Sequence, residues 1–62
     1  MSAVPKIEIY RDAAGKFRWR LRAPNGEIIV FSEAYESKDG CKKSIEYVKI
    51  NSPKAELVDI TQ

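Results

Sequence analysis

The stretch FRWRLRA, residues 17–23, alternates apolar and basic side chains without a break. Alternation with a period of two is typical of a β-strand whose two faces meet different surroundings. The apolar face, predicted to lie in the core, carries Phe17, Trp19, Leu21 and Ala23. The other face carries Arg18, Arg20 and Arg22, and its role is the main functional question that the sequence raises.

A first hairpin is predicted to precede this strand. Residues 6–11 alternate and are rich in β-forming side chains. In the connection, Asp12 followed by Gly15 is typical of a type I turn closed by a glycine bulge, which pairs Asp12 with Lys16. The resulting pairs are Ile7 with Leu21, Glu8 with Arg20, Ile9 with Trp19, and Tyr10 with Arg18.

A second hairpin is predicted at Asn25-Gly26, because both residues tolerate the positive φ of a two-residue type I′ turn. The predicted pairs are Pro24 with Glu27, Ala23 with Ile28, Arg22 with Ile29, Leu21 with Val30, and Arg20 with Phe31. The third strand thereby adds apolar residues to both faces of the sheet.

One helix is predicted over residues 38–50, with Ser37 as its N-cap. Its apolar residues have the i, i+4, i+7 spacing of a face packed on the sheet, and they are Cys41, Ile45 and Val48. Gly40 is predicted to allow a close approach to the sheet. Pro53 helps to end the helix, and residues 55–60 are predicted to form a short strand that pairs with its own sheet or with a partner's.

These elements predict an α+β domain of βββαβ order: a three-stranded antiparallel meander with one helix on its apolar face and a short C-terminal strand. The single domain spans residues 1–62, with residues 1–5 disordered. The helix is predicted to pack on Phe17, Trp19, Leu21, Ile28 and Val30. A chain of 62 residues buries little surface, and its one cysteine excludes an internal disulfide. Either very good packing or oligomerisation must therefore stabilise the domain, and oligomerisation is favoured.

Few residues suggest chemistry. The sequence has no histidine, and its acidic residues are scattered without paired spacing, so no catalytic residue, metal site or cofactor is predicted. Cys41 is interpreted as a core residue and not as a reactive thiol. A net charge of +2 does not by itself argue for nucleic acid. Without a signal peptide or a long apolar segment, the protein is predicted to be cytoplasmic and free of membrane.

The basic side of the sheet is the candidate interaction surface, called here the arginine face. It consists of Tyr10, Arg18, Arg20, Arg22, Ile29 and Phe31. Three interpretations remain open for it: a homodimer interface, a solvated face held by cross-strand ion pairs, or a surface that binds nucleic acid or another anion. The apolar residues among the arginines favour a surface that is partly covered, most simply by a second copy of the chain.

The chain resembles the YegP-like family of small bacterial proteins of uncharacterised function. The resemblance covers residues 7–59 and depends on Ile7-Glu8-Ile9-Tyr10, Gly15, Phe17-Arg18-Trp19-Arg20-Leu21, Asn25-Gly26-Glu27-Ile28-Ile29, Ser32-Glu33-Ala34-Tyr35, Ser37-Lys38, Gly40-Cys41 and the Ile45-Glu46-x-Val48-Lys49 helix pattern. The chain departs from the family at Ala34, Asp39 and Lys43-Ser44. Many relatives look like two tandem copies of this unit, which implies that two single-unit chains associate. The resemblance implies no activity.

The function predicted from the sequence is that of a non-enzymatic, homodimeric interaction module. The alternative is a weak binder of nucleic acid or another anion through Arg18, Arg20 and Arg22.

Overall fold

The computed structural model describes residues 4–61. Within that range the chain forms a sheet of order β1-β2-β3, from Lys6–Arg11, Phe17–Arg22 and Ile28–Phe31, with both neighbouring pairs antiparallel. Helix α1 spans Lys38–Asn51, and a 3₁₀ turn follows at Ser52–Lys54. The predicted α+β meander with one helix is confirmed. The predicted disorder of residues 1–5 lies mostly outside the described range; Val4 and Pro5 have no regular structure.

The first hairpin has the predicted register at all six paired positions, from Lys6 with Arg22 to Arg11 with Phe17. Its turn is the predicted one, because the Asp12 amide donates to the Lys16 carbonyl at 2.9 Å and Gly15 has a φ of 82°. The Asp12 side chain also accepts the amides of Ala14 and Lys16. Alternation and turn chemistry together were therefore enough to fix this register.

The second hairpin differs from its prediction. Its turn repeats the first: the Ala23 amide donates to the Glu27 carbonyl at 2.7 Å, and the positive φ belongs to Gly26 while Asn25 keeps a negative one. The predicted type I′ turn and the pairing of Ala23 with Ile28 are therefore wrong. A bulge then pairs Arg22 with Ile28, where Ile29 was predicted.

Beyond that bulge, the pairs of Leu21 with Val30 and Arg20 with Phe31 are as predicted. The three-residue loop shifts the register by one residue, and the bulge shifts it back. The loop and the bulge both differ from the prediction, but their effects on the register cancel at Val30 and Phe31.

After β3 the chain continues along β2 through side-chain and backbone contacts. The Ser32 hydroxyl accepts the Trp19 amide at 2.8 Å and donates to the Glu33 carbonyl. Phe17 and Tyr35 then exchange two backbone hydrogen bonds of 2.9 and 2.7 Å. This path delivers the chain to the start of the helix.

Helix α1 begins at its predicted cap, since the Ser37 hydroxyl accepts the Gly40 amide at 3.0 Å. A Cβ placed on Gly40 would meet that hydroxyl at 3.2 Å and no sheet atom within 4 Å. The prediction that Gly40 allows close contact with the sheet is therefore wrong: the glycine makes room for the cap. The helix packs across β2, the central strand.

The core is small and centres on Trp19 and Cys41, the two buried hydrophobic residues of the described chain. The Trp19 indole N–H donates to the Ser44 hydroxyl at 2.9 Å, and that hydroxyl donates to the Cys41 carbonyl at 2.7 Å. Ile45 and Val48 are half-buried, as predicted for the packed stripe. Ile28 and Val30 stay exposed, contrary to prediction, because one helix over β2 does not cover β3.

The predicted C-terminal strand does not form within this chain. Residues 55–61 have no regular secondary structure and pair with neither edge of the sheet. Leu57, Val58 and Ile60 expose 96%, 66% and 86% of their surface. The sequence correctly marked this segment as apolar, but the chain supplies no surface that buries it.

Candidate interaction surfaces

The arginine face is held together by two carboxylates of its own chain. A single oxygen of Glu8, Oε1, accepts the Nε–H groups of Arg20 at 2.8 Å and of Arg22 at 3.1 Å. Arg22 also donates from Nη1 to the Gly26 carbonyl. These hydrogen bonds lower the pKa of Glu8, those from Arg20 first and Arg22 second.

The second carboxylate is Asp12, which accepts the Nε–H of Arg18 at 2.7 Å. This bond is the main reason that the pKa of Asp12 lies below its usual range and that of Arg18 above it. Arg18 further donates to the Ser32 carbonyl at 3.3 Å. The sequence pattern predicted only a turn role for Asp12. The period of two would have placed it on the same face as Tyr10 and therefore near Arg18.

Aromatic and aliphatic side chains occupy the rest of the arginine face. The Arg20 guanidinium lies 4.9 Å from the centre of the Tyr10 ring. Phe31 lies opposite Arg20 in the register and is 59% exposed. Ile29 is also exposed and lies at the bulge, without a paired partner on β2. The sheet thus brings the six predicted residues onto three adjacent strands.

A second cation–π contact, between Arg11 and Phe17, was not predicted from the sequence. The Arg11 guanidinium lies 4.7 Å from the centre of the Phe17 ring, at the end of the first hairpin. The two residues form a cross-strand pair, so the signal was present in the predicted register. Nearby, Lys16 pairs with Glu36 and ties the turn to the segment before the helix.

Two further apolar regions are exposed, and together they are called here the open apolar surface. They are β3 and, after the 3₁₀ turn, the side chains of Leu57, Val58 and Ile60. All four residues of β3 are exposed, and its outer edge has no strand beside it in the described chain. At the end of the segment, Asp59 Oδ1 accepts the amide and hydroxyl of Thr61, which lowers the pKa of Asp59.

The dimensions of the chain agree with an uncovered surface. It exposes 5259 Å², whereas a compact monomer of this mass exposes about 4,100 Å². Its Cα radius of gyration is 13.4 Å, against about 10.6 Å for a compact domain of this length. The excess area is about 1,200 Å², more than the ~800 Å² that each partner typically contributes to a stable interface.

The groups that could carry chemistry are few. Cys41 is completely buried, and burial raises the pKa of its thiol, which disfavours the reactive thiolate. Among residues 4–61 no three side chains of Cys, Asp or Glu come together as metal ligands. In the same range, no helix combines the length and apolar character needed to cross a bilayer.

Comparison with known proteins identifies relatives over nearly the whole chain. A UPF0339 protein of Treponema denticola is 54% identical over 55 residues, which cover 89% of this chain and 95% of the relative. The NMR structure of a protein from Haloferax volcanii superimposes with a TM-score of 0.84 at 41% identity, and covers 94% of this chain and 98% of its own. The relatives therefore extend to archaea, beyond the bacterial range that the resemblance implied.

A longer relative also exists. A UPF0339 protein encoded in the 5′ region of the ptx operon of Stutzerimonas stutzeri is 54% identical over 47 residues, which are 76% of this chain but 42% of that protein. Residues 12–59 match the family described as "Domain of unknown function (DUF1508)". The predicted resemblance to the YegP-like proteins is confirmed, and the chain belongs to this DUF1508/UPF0339 family, for which no function is known.

Proposed function

We propose that the protein is a non-enzymatic, cytoplasmic interaction module that works as a homodimer, with the open apolar surface of each copy covered by the other. The observation that carries the proposal is the exposure of Leu57, Val58 and Ile60 in a segment that pairs with no strand of the described chain. Three large apolar side chains exposed within four residues lower the solubility of a protein unless another surface covers them.

The edge of β3 is the surface that suits this segment. It presents Ile28, Ile29, Val30 and Phe31 without a charge. The opposite edge, β1, carries Lys6, Glu8 and Arg11, and charged side chains on an edge strand discourage further pairing. Addition of the partner's residues 55–60 to β3 would satisfy the free backbone groups of both segments and cover apolar side chains, including Ile60.

The arginine face contributes to the same region. Its apolar members, Ile29 and Phe31, belong to β3, while its three arginines are already paired with Glu8 and Asp12. The proposed dimer contact therefore includes the β3 part of the arginine face and does not include the arginines of β2. A partner strand that pairs with the backbone beside Ile29 and Phe31 would extend the sheet, which a domain this small needs for its stability.

The length of the Stutzerimonas stutzeri relative supports the same arrangement. That protein has room for a second unit of this size. Two units on one chain can make the contact that two separate chains make here, at a higher effective concentration.

Analytical ultracentrifugation across a range of concentrations tests the proposal. Wild type is expected to sediment as a dimer. Ile60→Lys is expected to raise the dissociation constant at least ~100-fold, because each buried isoleucine contributes ~1.5 kcal/mol or more and a symmetric dimer contains two.

Ile50→Lys is the matched control. Ile50 is also exposed, at 58%, but it belongs to α1 and to neither β3 nor the C-terminal segment. This variant is expected to remain a dimer. A wild-type chain that sediments as a folded monomer at high concentration would rule the proposal out, as would equal weakening by both substitutions. Ile60 is 86% exposed in the single chain, so loss of dimer by Ile60→Lys cannot be ascribed to a damaged core.

A further inference from the structure

We propose that the arginine face binds single-stranded nucleic acid, as an activity separate from dimerisation. The partner proposed above adds to the edge of β3, in the plane of the sheet, where it pairs with the backbone and leaves the three arginines and the outward face of the Phe31 ring open. That face combines basic groups with one exposed aromatic ring, Phe31, and a half-buried one, Tyr10. Basic and aromatic side chains together recognise the phosphates and unstacked bases of single strands.

The guanidinium groups are held in place by the carboxylates but keep free N–H donors. In each arginine, the Nε–H is the donor to the carboxylate: Arg18 to Asp12, and Arg20 and Arg22 to Glu8. In the part of the chain that the structure describes, Nη1 and Nη2 of Arg20 and Nη2 of Arg18 and Arg22 donate to no protein group. Side chains held in this way lose little freedom on binding, and their remaining donors suit phosphate oxygens.

The charge of this side of the sheet is positive despite the two carboxylates. Lys6 lies opposite Arg22 at the same end of the face, so four basic residues stand against Glu8 and Asp12. The residues of the C-terminal segment, with Glu56 and Asp59, are acidic instead. Net positive charge is thus concentrated beside the aromatic rings, which is the complement of a polyanion.

The aromatic rings lie on both sides of the central arginine. Tyr10 stacks with the Arg20 guanidinium on β1, and Phe31 lies opposite Arg20 on β3, with more than half of its surface exposed. The exposed Phe31 ring, beside the Arg20 guanidinium that covers Tyr10, offers a planar surface on which a base can stack without sequence preference. Duplex DNA keeps its bases stacked inside and cannot use this surface.

Fluorescence anisotropy with labelled 20-mers of dT and rU, at 50 mM and higher salt, tests the inference. Wild type is expected to bind both, with log K falling by about 2–3 per tenfold increase in salt if three to four phosphates are contacted. A duplex of the same length should bind at least ~10-fold more weakly.

Two sets of variants locate the site. Phe31→Leu keeps an apolar side chain but removes the ring, and is expected to weaken binding ~10-fold. The pair Arg20→Gln and Arg22→Gln is expected to weaken it further and to reduce the salt slope by about 1.4. The control pair, Lys42→Gln and Lys49→Gln, removes the same charge from the exposed side of α1 and should leave binding within twofold.

Sedimentation and circular dichroism on each variant separate this inference from the dimer. If the arginine pair fails to fold, Phe31→Leu alone decides. Absence of binding at 50 mM salt overturns the inference, and so does equal binding of duplex or an equal loss in the lysine control. None of these results would affect the proposed dimer, whose failure appears in the sedimentation of the wild type.

Discussion

The sheet has a β1–β2 side and a β3 side, which lie towards its two edges. These two sides differ in how many of their interactions are made within the chain itself. On one side, β1 and β2 pair at six positions, three arginines find carboxylates, and Trp19 is buried against α1. On the other side, β3 has an empty outer edge and exposed side chains on both faces, and the exposed apolar segment after the helix pairs with no strand of the described chain.

This difference shows that the stability of the fold has two sources. The β1–β2 side is stabilised by contacts within the chain, and substitutions there should act whatever the state of assembly. The β3 side has unburied apolar area whose contribution depends on a partner and therefore on protein concentration. Substitutions on the β1–β2 side should therefore change the stability of the single chain, and substitutions on the β3 side should change its assembly.

The largest expected effect is that of Trp19→Ala on the β1–β2 side. Loss of this buried ring should lower the free energy of unfolding by ~3–5 kcal/mol, which is a large part of the stability of a domain this small. Urea unfolding followed by circular dichroism measures it.

Trp19→Phe serves as the comparison for this variant. It keeps most of the apolar volume and removes the indole N–H that donates to Ser44, so a loss of about 1–2 kcal/mol is expected. If Trp19→Ala lowered the free energy of unfolding by less than 1 kcal/mol, the core would not lie between β2 and α1.

A smaller effect is expected at the two turn glycines, one in each hairpin. Gly15→Ala and Gly26→Ala should each cost ~1–2 kcal/mol, because φ is 82° and 93° there and an L side chain is strained in that conformation. A Cβ would meet no atom within 4 Å at either position, so backbone strain is the sole steric cause. Thermal unfolding measures both variants.

Asparagine provides the control at these positions, since it tolerates positive φ better than alanine and should cost less. Because the loops have the same geometry, the two alanine variants should be equally destabilised. A much smaller cost at Gly26 would mean that the second hairpin, on the side that lacks a partner, is already partly open in the folded chain.

The smallest effect concerns the ion pairs of the arginine face and their dependence on pH. The pKa values of Glu8 and Asp12 are lowered by their arginine partners, so the ionised carboxylates stabilise the folded state. This stabilisation is present at neutral pH and is lost as the pH falls below the usual carboxyl range near 4.

The double variant Glu8→Gln, Asp12→Asn isolates these two groups. It should be less stable than wild type at pH 7, and the difference should shrink towards zero by pH 2–3 in urea unfolding experiments. The other carboxylates, including Asp59, titrate in both proteins and cancel in the difference. A difference that stays constant with pH would show that the side chains act through packing and not through charge.

Sequence patterns predicted the β1–β2 side well because its determinants are local. The register of β1 and β2 follows from a period of two and from a turn with Asp12 and Gly15, and the helix start follows from the Ser37 cap. The ion pair of Glu8 with Arg20 follows from the same register. The bond from Trp19 to Ser44 spans 25 residues and depends on where the helix settles on the sheet, which periodicity does not contain.

The other side was predicted less well, for two physical reasons. Asn25-Gly26 is compatible with both a two-residue and a three-residue loop, and the choice depends on whether the bulge at Ile28 and Ile29 can form. The apolar residues 57–60 suit a strand, but propensity does not provide a neighbour to pair with. Strand formation there needs an edge that the chain on its own does not bring within reach.

The repetition of one loop geometry in both hairpins has a consequence for the speed of folding. Each loop closes between residues four apart, Asp12 with Lys16 and Ala23 with Glu27, so the meander can form through short-range contacts on a microsecond timescale. Docking of α1 on Trp19 joins residues much farther apart and should be the slower event. The fluorescence of Trp19, the single tryptophan, would then follow the rate-limiting step of folding directly.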